Sequence, residues 1–210
     1  GVGYRDYEVV PSDTAVADPL PLGRRTVQDT VVVDTPLLEV VFDLNRGGAI
    51  AKLSDKRTGR DFAANLEGLG TLRGYFPQQG RYLESAAARV ESAFDENGPL
   101  RVQVAFKGKL GGGAFTQTYI IRRDDPCIEA ETSIHFPQET EIGFPYVPPE
   151  EEAFHGVRRS SCREDHKLGI RLPLGTRSVR VFKSAPYDVC ESRHEDTRFD
   201  CWTEIRHNLI

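Results

Sequence analysis

The sequence lacks the features that mark several classes of protein. It has no methionine, a single tryptophan and no apolar run near the roughly 20 residues that a membrane-spanning helix requires. It therefore predicts a soluble protein with no membrane partner. No signal peptide is evident at the start, and the missing methionine indicates that the natural N-terminus lies elsewhere. These absences leave the cellular compartment open.

Positive charge is also scarce and scattered. The net charge is -5, and basic pairs such as Arg24-Arg25 and Arg122-Arg123 are isolated, so no stripe suited to nucleic acid is present. Four cysteines occur, none in C-x-x-C spacing, which gives no support to a zinc or redox site. We interpret them as ordinary thiols: Cys127, Cys162, Cys190 and Cys201.

Motifs for catalysis and cofactor binding are missing as well. There is no G-x-S-x-G elbow, no phosphate-binding loop and no H-E-x-x-H zinc motif. The segment Asp43-Leu44-Asn45 lacks the downstream glutamate of a calcium loop and is typical of a hairpin turn. No catalytic residue, metal ligand or cofactor is therefore predicted within this chain.

What the sequence does contain is β-strand patterning. Residues 100–110 alternate apolar and polar, with Leu100, Val102, Val104, Phe106 and Leu110 on one face. A triple glycine at 111–113 predicts a hairpin into 114–122, and 127–136 places Ile128, Ala130, Ile134 and Phe136 inward. Further strands are predicted at 37–43, 49–54, 86–94, 179–184 and 187–192.

Many strands separated by glycine- and proline-rich turns indicate an all-β fold, a large antiparallel β-sandwich. Apolar residues at 39% and charged residues at 28% fit a folded core, and we expect one domain over residues 1–210. The proline-rich residues 1–24 are predicted to form an N-terminal arm.

One long irregular segment, residues 143–166, combines prolines, an acidic triplet and an arginine-rich end. Loops of this length in compact domains are usually functional or mobile. Its imidazole, guanidinium and phenol groups suit hydroxyl-rich ligands. The candidates for sugar contact are Tyr146, His155, Arg158 and His166. A plain hydrophilic surface loop is the alternative interpretation.

Several stretches resemble the C-terminal β-domain of glycoside hydrolase family 38 α-mannosidases, a supersandwich of the galactose-mutarotase-like type. They are GYRDY at 3–7, LEVVFD at 38–43, GGAI at 47–50, LSDKRTGR at 53–60 and PYDV at 186–189. The resemblance implies a non-catalytic β-domain that supports its own N-terminal catalytic domain, which would hold the zinc, and that contributes to binding carbohydrate. No zinc or nucleophile motif of that catalytic domain is present here.

Two other functions stay open. One is a self-sufficient aldose epimerase or mutarotase, in which His155 or His166 with Glu195 would exchange protons at the anomeric centre. The other is a carbohydrate-binding module without chemistry. A complete epimerase would be expected to stand alone, whereas this chain has the character of a fragment cut at both ends.

Overall fold

The computed structural model of the chain describes residues 22–63, 68–143 and 168–175, without the side chains of residues 94 and 95, together with the backbone of 179–185, 188–192 and 203–207. Fifteen strands lie in these ranges: β1 (Gly23–Val27), β2 (Thr30–Asp34), β3 (Leu38–Asp43), β4 (Ala49–Asp55), β5 (Arg60–Asp61), β6 (Thr71–Phe76), β7 (Arg81–Glu84), β8 (Glu91–Asn97), β9 (Arg101–Leu110), β10 (Gly113–Arg122), β11 (Ile128–His135), β12 (Gly169–Arg171), β13 (Val179–Ala185), β14 (Asp188–Ser192) and β15 (Thr203–His207).

The strands form four antiparallel sheets. Their orders are β1-β2-β3-β4-β5, β11-β10-β9-β8, β12-β6-β7 and β14-β13-β15. The helical elements of the described residues are three single 3₁₀ turns, Leu44–Arg46, Pro77–Gln79 and Ser85–Ala87. None of them has the length or apolar character needed to cross a bilayer. The predicted all-β fold is confirmed.

The core joins the five-stranded and four-stranded sheets face to face. Phe42 of β3 lies with its ring centroid 4.9 Å from that of Phe106 on β9 and 4.9 Å from that of Tyr119 on β10. All three side chains are buried because the inward positions of these strands alternate with polar ones. Valines complete this layer on both sides: Val31, Val33, Val40, Val102 and Val104.

Most predicted strands appear with small shifts of their ends. The strand predicted at 86–94 is wrong in its first half, because Ser85–Ala87 forms a 3₁₀ turn and β8 starts at Glu91. The predicted arm at 1–24 overlaps β1, which begins at Gly23. The strands that were not predicted include β1, β2, β5, β6, β7 and β12.

Two residues predicted to face the core are exposed. Leu100 is 65% exposed because it lies before the start of β9, where the strand no longer has the opposite sheet over it. Ala130 is exposed because β11 is the edge strand of its sheet. Its neighbours Ile128 and Ile134 are only partly buried against the core. Alternation of apolar and polar residues predicts on which face of a strand a side chain lies. Whether that side chain is buried also depends on what covers the face.

The β3–β4 hairpin turns through a 3₁₀ turn and two glycines. The Asp43 carboxylate accepts a hydrogen bond of 2.9 Å from the Asn45 backbone N–H, as expected of a capping turn rather than a cation site. Gly48 follows with a φ of +73°, and a methyl group there would lie 2.7 Å from Cγ of Phe106. Gly48 therefore lets the hairpin pack directly on the central aromatic cluster.

A pair of substitutions separates the two reasons for glycine at this turn. Gly48→Ala should lower the free energy of unfolding for two reasons. An alanine in the left-handed backbone conformation costs about 1–2 kcal/mol, and overpacking of its methyl group against Phe106 costs about 1–3 kcal/mol more. Gly59→Ala is the matched control, since Gly59 has a φ of +69° and nothing within 4 Å of the added carbon. Equal losses in urea unfolding would contradict the proposed steric contact.

The β4–β5 turn is held by Asp55 and Arg57. The Asp55 carboxylate accepts hydrogen bonds from the Arg57 backbone N–H at 2.9 Å and from the guanidinium at 3.2 and 3.1 Å. The Asp55 carbonyl accepts a further bond of 2.8 Å from the Gly59 N–H. Hydrogen bonding by the Arg57 side chain, reinforced by its backbone N–H, lowers the pKa of Asp55 below its usual value.

This lowered pKa predicts a pH dependence with a defined sign. The folded-state pKa of Asp55 lies below the unfolded value of about 3.9, so its contribution is fully present above that value and is lost as pH falls through the folded pKa. In thermal unfolding, Asp55→Asn should have a lower Tm than the parent at pH 7. The gap should narrow below about pH 4. A gap that stays constant down to pH 2 would show that the charge of Asp55 contributes nothing.

Candidate functional site

The predicted sugar-contact residues, Tyr146, His155, Arg158 and His166, lie outside the described residues, as does Glu195. The residues that flank this segment are described, and both contact the backbone of β6. The Gly143 N–H donates a 2.8 Å hydrogen bond to the Tyr75 carbonyl, and Gly169 pairs with Arg73 in the β12–β6 ladder. The described residues on either side of 144–167 therefore contact β6 at two positions, Tyr75 and Arg73, that are two residues apart.

Strand β6 presents two different faces. Leu72, Gly74 and Phe76 are buried, and Leu72 and Phe76 belong to the core, while Arg73 and Tyr75 point to the opposite side. The register places Tyr75 opposite Tyr82 and Arg73 opposite Glu84 of β7. Arg171 of β12 reaches the same group from the other neighbouring strand. We call the set Arg73, Tyr75, Tyr82, Glu84 and Arg171 the tyrosine–arginine face.

The side chains of the tyrosine–arginine face contact one another closely. The rings of Tyr75 and Tyr82 meet edge to face with centroids 5.3 Å apart. The guanidinium of Arg73 lies over the Tyr82 ring, 4.2 Å from its centroid. Edge-to-face and cation–π contacts each contribute on the order of 0.5–1.5 kcal/mol. These contacts hold the two tyrosines and Arg73 in defined positions.

A single carboxylate joins the two arginines. Oε1 of Glu84 lies 3.4 Å from Nε of Arg73 and accepts a 3.1 Å hydrogen bond from Nη1 of Arg171. Among the described residues, the hydrogen bond to this carboxylate is made at Oε1 and none is made at Oε2. The three charged side chains are 37%, 34% and 33% exposed for Arg73, Glu84 and Arg171. The network is therefore partly shielded from water yet accessible, as a ligand site must be.

A groove of about 220 Å³ lies at the end of β6, where Phe76 meets the turn between β9 and β10. Its polar lining consists of amides, carboxylates and one hydroxyl: Gln78, Gln79, Gln138, Glu139, Thr140 and Glu141. Most of these residues are exposed and lie in turns or irregular segments. The Thr140 hydroxyl donates a 3.0 Å hydrogen bond to the Gln138 carbonyl, but the described residues show no hydrogen bond between two of these side chains. The groove is therefore the less organised of the two surfaces.

Two buried polar groups lie deeper, where β10 faces Gly70. Nε2 of Gln117 donates a 2.9 Å hydrogen bond to the Gly70 carbonyl, whereas Oε1 of Gln117 and the Tyr119 hydroxyl make no hydrogen bond with the described residues. Burial raises the pKa of Tyr119, which keeps the phenol neutral. Both side chains are almost fully enclosed, so they do not form an accessible site.

The described residues contain no group of three or more histidine, cysteine, aspartate or glutamate side chains that could hold a metal ion. Within the same ranges, the one histidine with a described side chain is His135, which is exposed on the edge strand β11. Cys127 is a free, exposed thiol. Its pKa is raised chiefly by the hydrogen bond and negative charge of Asp125, which disfavours the reactive thiolate.

Comparison with known proteins shows a similarity of fold to a solved structure. No family profile matches the sequence, and no curated protein matches it either. Among solved structures, the chain is similar to an α-mannosidase from Enterococcus faecalis V583, with a TM-score of 0.59 and 13% sequence identity. The match covers 90% of this chain and 22% of that enzyme. The chain thus shares its fold with about a fifth of the length of that α-mannosidase.

A substitution tests how the tyrosine–arginine face is held together. Glu84→Gln removes the charge that both guanidiniums share, and it should lower the free energy of unfolding by about 1 kcal/mol. Glu129→Gln is the control, because Glu129 pairs with Arg122 alone and is 56% exposed, so its loss should be smaller. Urea unfolding of both variants measures the difference. A loss at Glu84 no larger than at Glu129 would show that the network is not structural.

Proposed function

We propose that this chain is a non-catalytic β-domain of a larger glycoside hydrolase resembling the family 38 α-mannosidases. In this role it supports an N-terminal catalytic domain and contributes to carbohydrate binding. The observation that most supports the proposal is the similarity of fold over 90% of this chain to a fifth of an α-mannosidase. At 13% identity that similarity concerns the fold alone, and the motifs at 38–43 and 53–60 add the family resemblance.

The chemistry of the described residues agrees with a supporting role. Among them no metal-binding group is found. Where the pKa of a carboxylate is shifted it is lowered, and for Asp55, Glu96 and Glu129 the main cause is a hydrogen bond from an arginine. A general acid of a glycosidase requires a raised pKa instead. In the proposed enzyme, as the family resemblance implies, zinc and nucleophile reside in the catalytic domain.

The described residues that flank the 143–166 segment support its proposed contact with sugar. Gly143 donates a hydrogen bond to the Tyr75 carbonyl, and Gly169 pairs with Arg73 on the same strand, β6. The proposed contacts of Tyr146, His155, Arg158 and His166 would thus be made near the tyrosine–arginine face. The catalytic domain and the carbohydrate would meet this end of the domain.

The proposal predicts that the 210-residue chain alone hydrolyses no glycoside. Aryl α-mannosides with and without added zinc are the substrates, and release of the aryl group is the measurement. The expected result is no turnover above buffer, because no acid–nucleophile pair is formed by the described residues. Sustained turnover that is lost when one carboxylate of this chain is substituted would contradict the proposal.

Two further observations separate the proposal from its rivals. Catalysed mutarotation of galactose, followed by polarimetry, would indicate an aldose epimerase instead. The reading frame upstream of Gly1 is the second observation. A zinc-binding catalytic domain encoded there would agree with the proposed role as a supporting β-domain. A start codon immediately before Gly1 would contradict that role.

A further inference from the structure

The tyrosine–arginine face combines two aromatic rings with charged hydrogen-bond donors and an acceptor, which are the groups that bind sugars. We propose that this face is a carbohydrate-binding site that takes one neutral hexopyranose unit of a glycan. The inference rests on the proposed function for its ligand class. The residues that carry it come from the geometry of β6, β7 and β12.

The two tyrosines supply an apolar surface with polar tips. Tyr75 and Tyr82 are both partly exposed, and their edge-to-face contact at 5.3 Å fixes the angle between the rings at 70°. A pyranose ring has one side made largely of C–H groups, which packs against an aromatic surface. Tyrosines held in this way bind at little cost in conformational entropy.

The charged groups supply both kinds of hydrogen-bonding partner. A sugar hydroxyl donates one bond and accepts others, so a site that orients it needs a donor and an acceptor side by side. The arginine side chains carry N–H donors, while Oε2 of Glu84 is an acceptor that receives no hydrogen bond from the described residues. Bonds to charged groups are stronger than neutral ones, so the shared carboxylate is the expected anchor for a hydroxyl.

The arrangement is also preorganised. Arg73 is fixed by the Tyr82 ring on one side and Glu84 on another, and Arg171 is fixed by its bond to Glu84. The main chain on both sides of β6 is tied by ladder bonds of β12 and β7. Side chains whose positions are already set lose little freedom when a ligand arrives.

The test is a titration of the ¹⁵N-labelled 210-residue chain with methyl α-mannopyranoside and with α-linked mannobiose. Chemical shifts are followed by NMR. We expect saturable shifts in residues 73–76 and 82–84, and none in the Arg101–Arg122 region of the four-stranded sheet. Tyr75→Ala and Glu84→Gln should each weaken binding about tenfold, the loss expected for one charge-assisted bond or one packed ring.

A control variant and a control ligand distinguish specific sugar binding from unfolding and from binding of any charged sugar. Glu129→Gln makes the same chemical change on the other sheet and should leave affinity unchanged, and the dispersion of each spectrum shows whether a variant is folded. Methyl α-glucuronide, which carries one negative charge, should bind no tighter than the neutral mannoside. If Tyr75→Ala unfolds the chain, Glu84→Gln still tests the proposal.

Three results would overturn the inference. They are absence of saturable shifts with both sugars, shifts confined to the groove at residues 137–141, and binding of the glucuronide alone. Each leaves the proposed supporting role untouched, because that role is tested by hydrolysis and by the upstream reading frame.

Discussion

The packing of Phe42 between Phe106 and Tyr119 is the contact on which the rest of the fold depends. It joins the two large sheets across the core, with both neighbouring rings at 4.9 Å. The hairpin after β3 reaches this cluster through Gly48, and Tyr119 lies against Gly70 at the start of β6. The aromatic cluster therefore sets the position of the third sheet as well as that of the first two.

The candidate site depends on the core through short connections. Gly70 donates its N–H to the Arg171 carbonyl at 2.8 Å and accepts a bond from Gln117 at 2.9 Å, so β12 and β10 meet at one residue. Leu72 and Phe76 bury one side of β6, which orients Arg73 and Tyr75 to the other side. A binding surface built on strands in this way is more precisely positioned than one built on loops alone.

Sequence patterning predicts the long central strands well, because β9 and β10 alternate over ten residues each and are covered by the opposite sheet. It fails at the edges. Leu100 and Ala130 carry the correct alternation but lack a covering partner. It also missed β6 and β7, which are short and interrupted by glycine and a 3₁₀ turn.

The tyrosine–arginine face was not predicted either, although part of its signal is local. TLRGYF places Arg73 and Tyr75 two residues apart, and RYLE does the same for Tyr82 and Glu84. Their pairing depends on the register of a hairpin, and Arg171 arrives from 87 residues away. A sequence without related sequences beside it contains no local signal for such a long-range contact.

The central claim is our proposal that this β-domain presents a preformed sugar-binding face, with no acid–nucleophile pair among its described residues. A crystal structure of the chain grown in saturating α-mannobiose tests it most directly. The account predicts one sugar ring packed on Tyr75 and Tyr82, with a hydroxyl bonded to Oε2 of Glu84 and the disaccharide intact. Ordered sugar at another place with this face empty, or cleaved sugar held between two carboxylates, would contradict it.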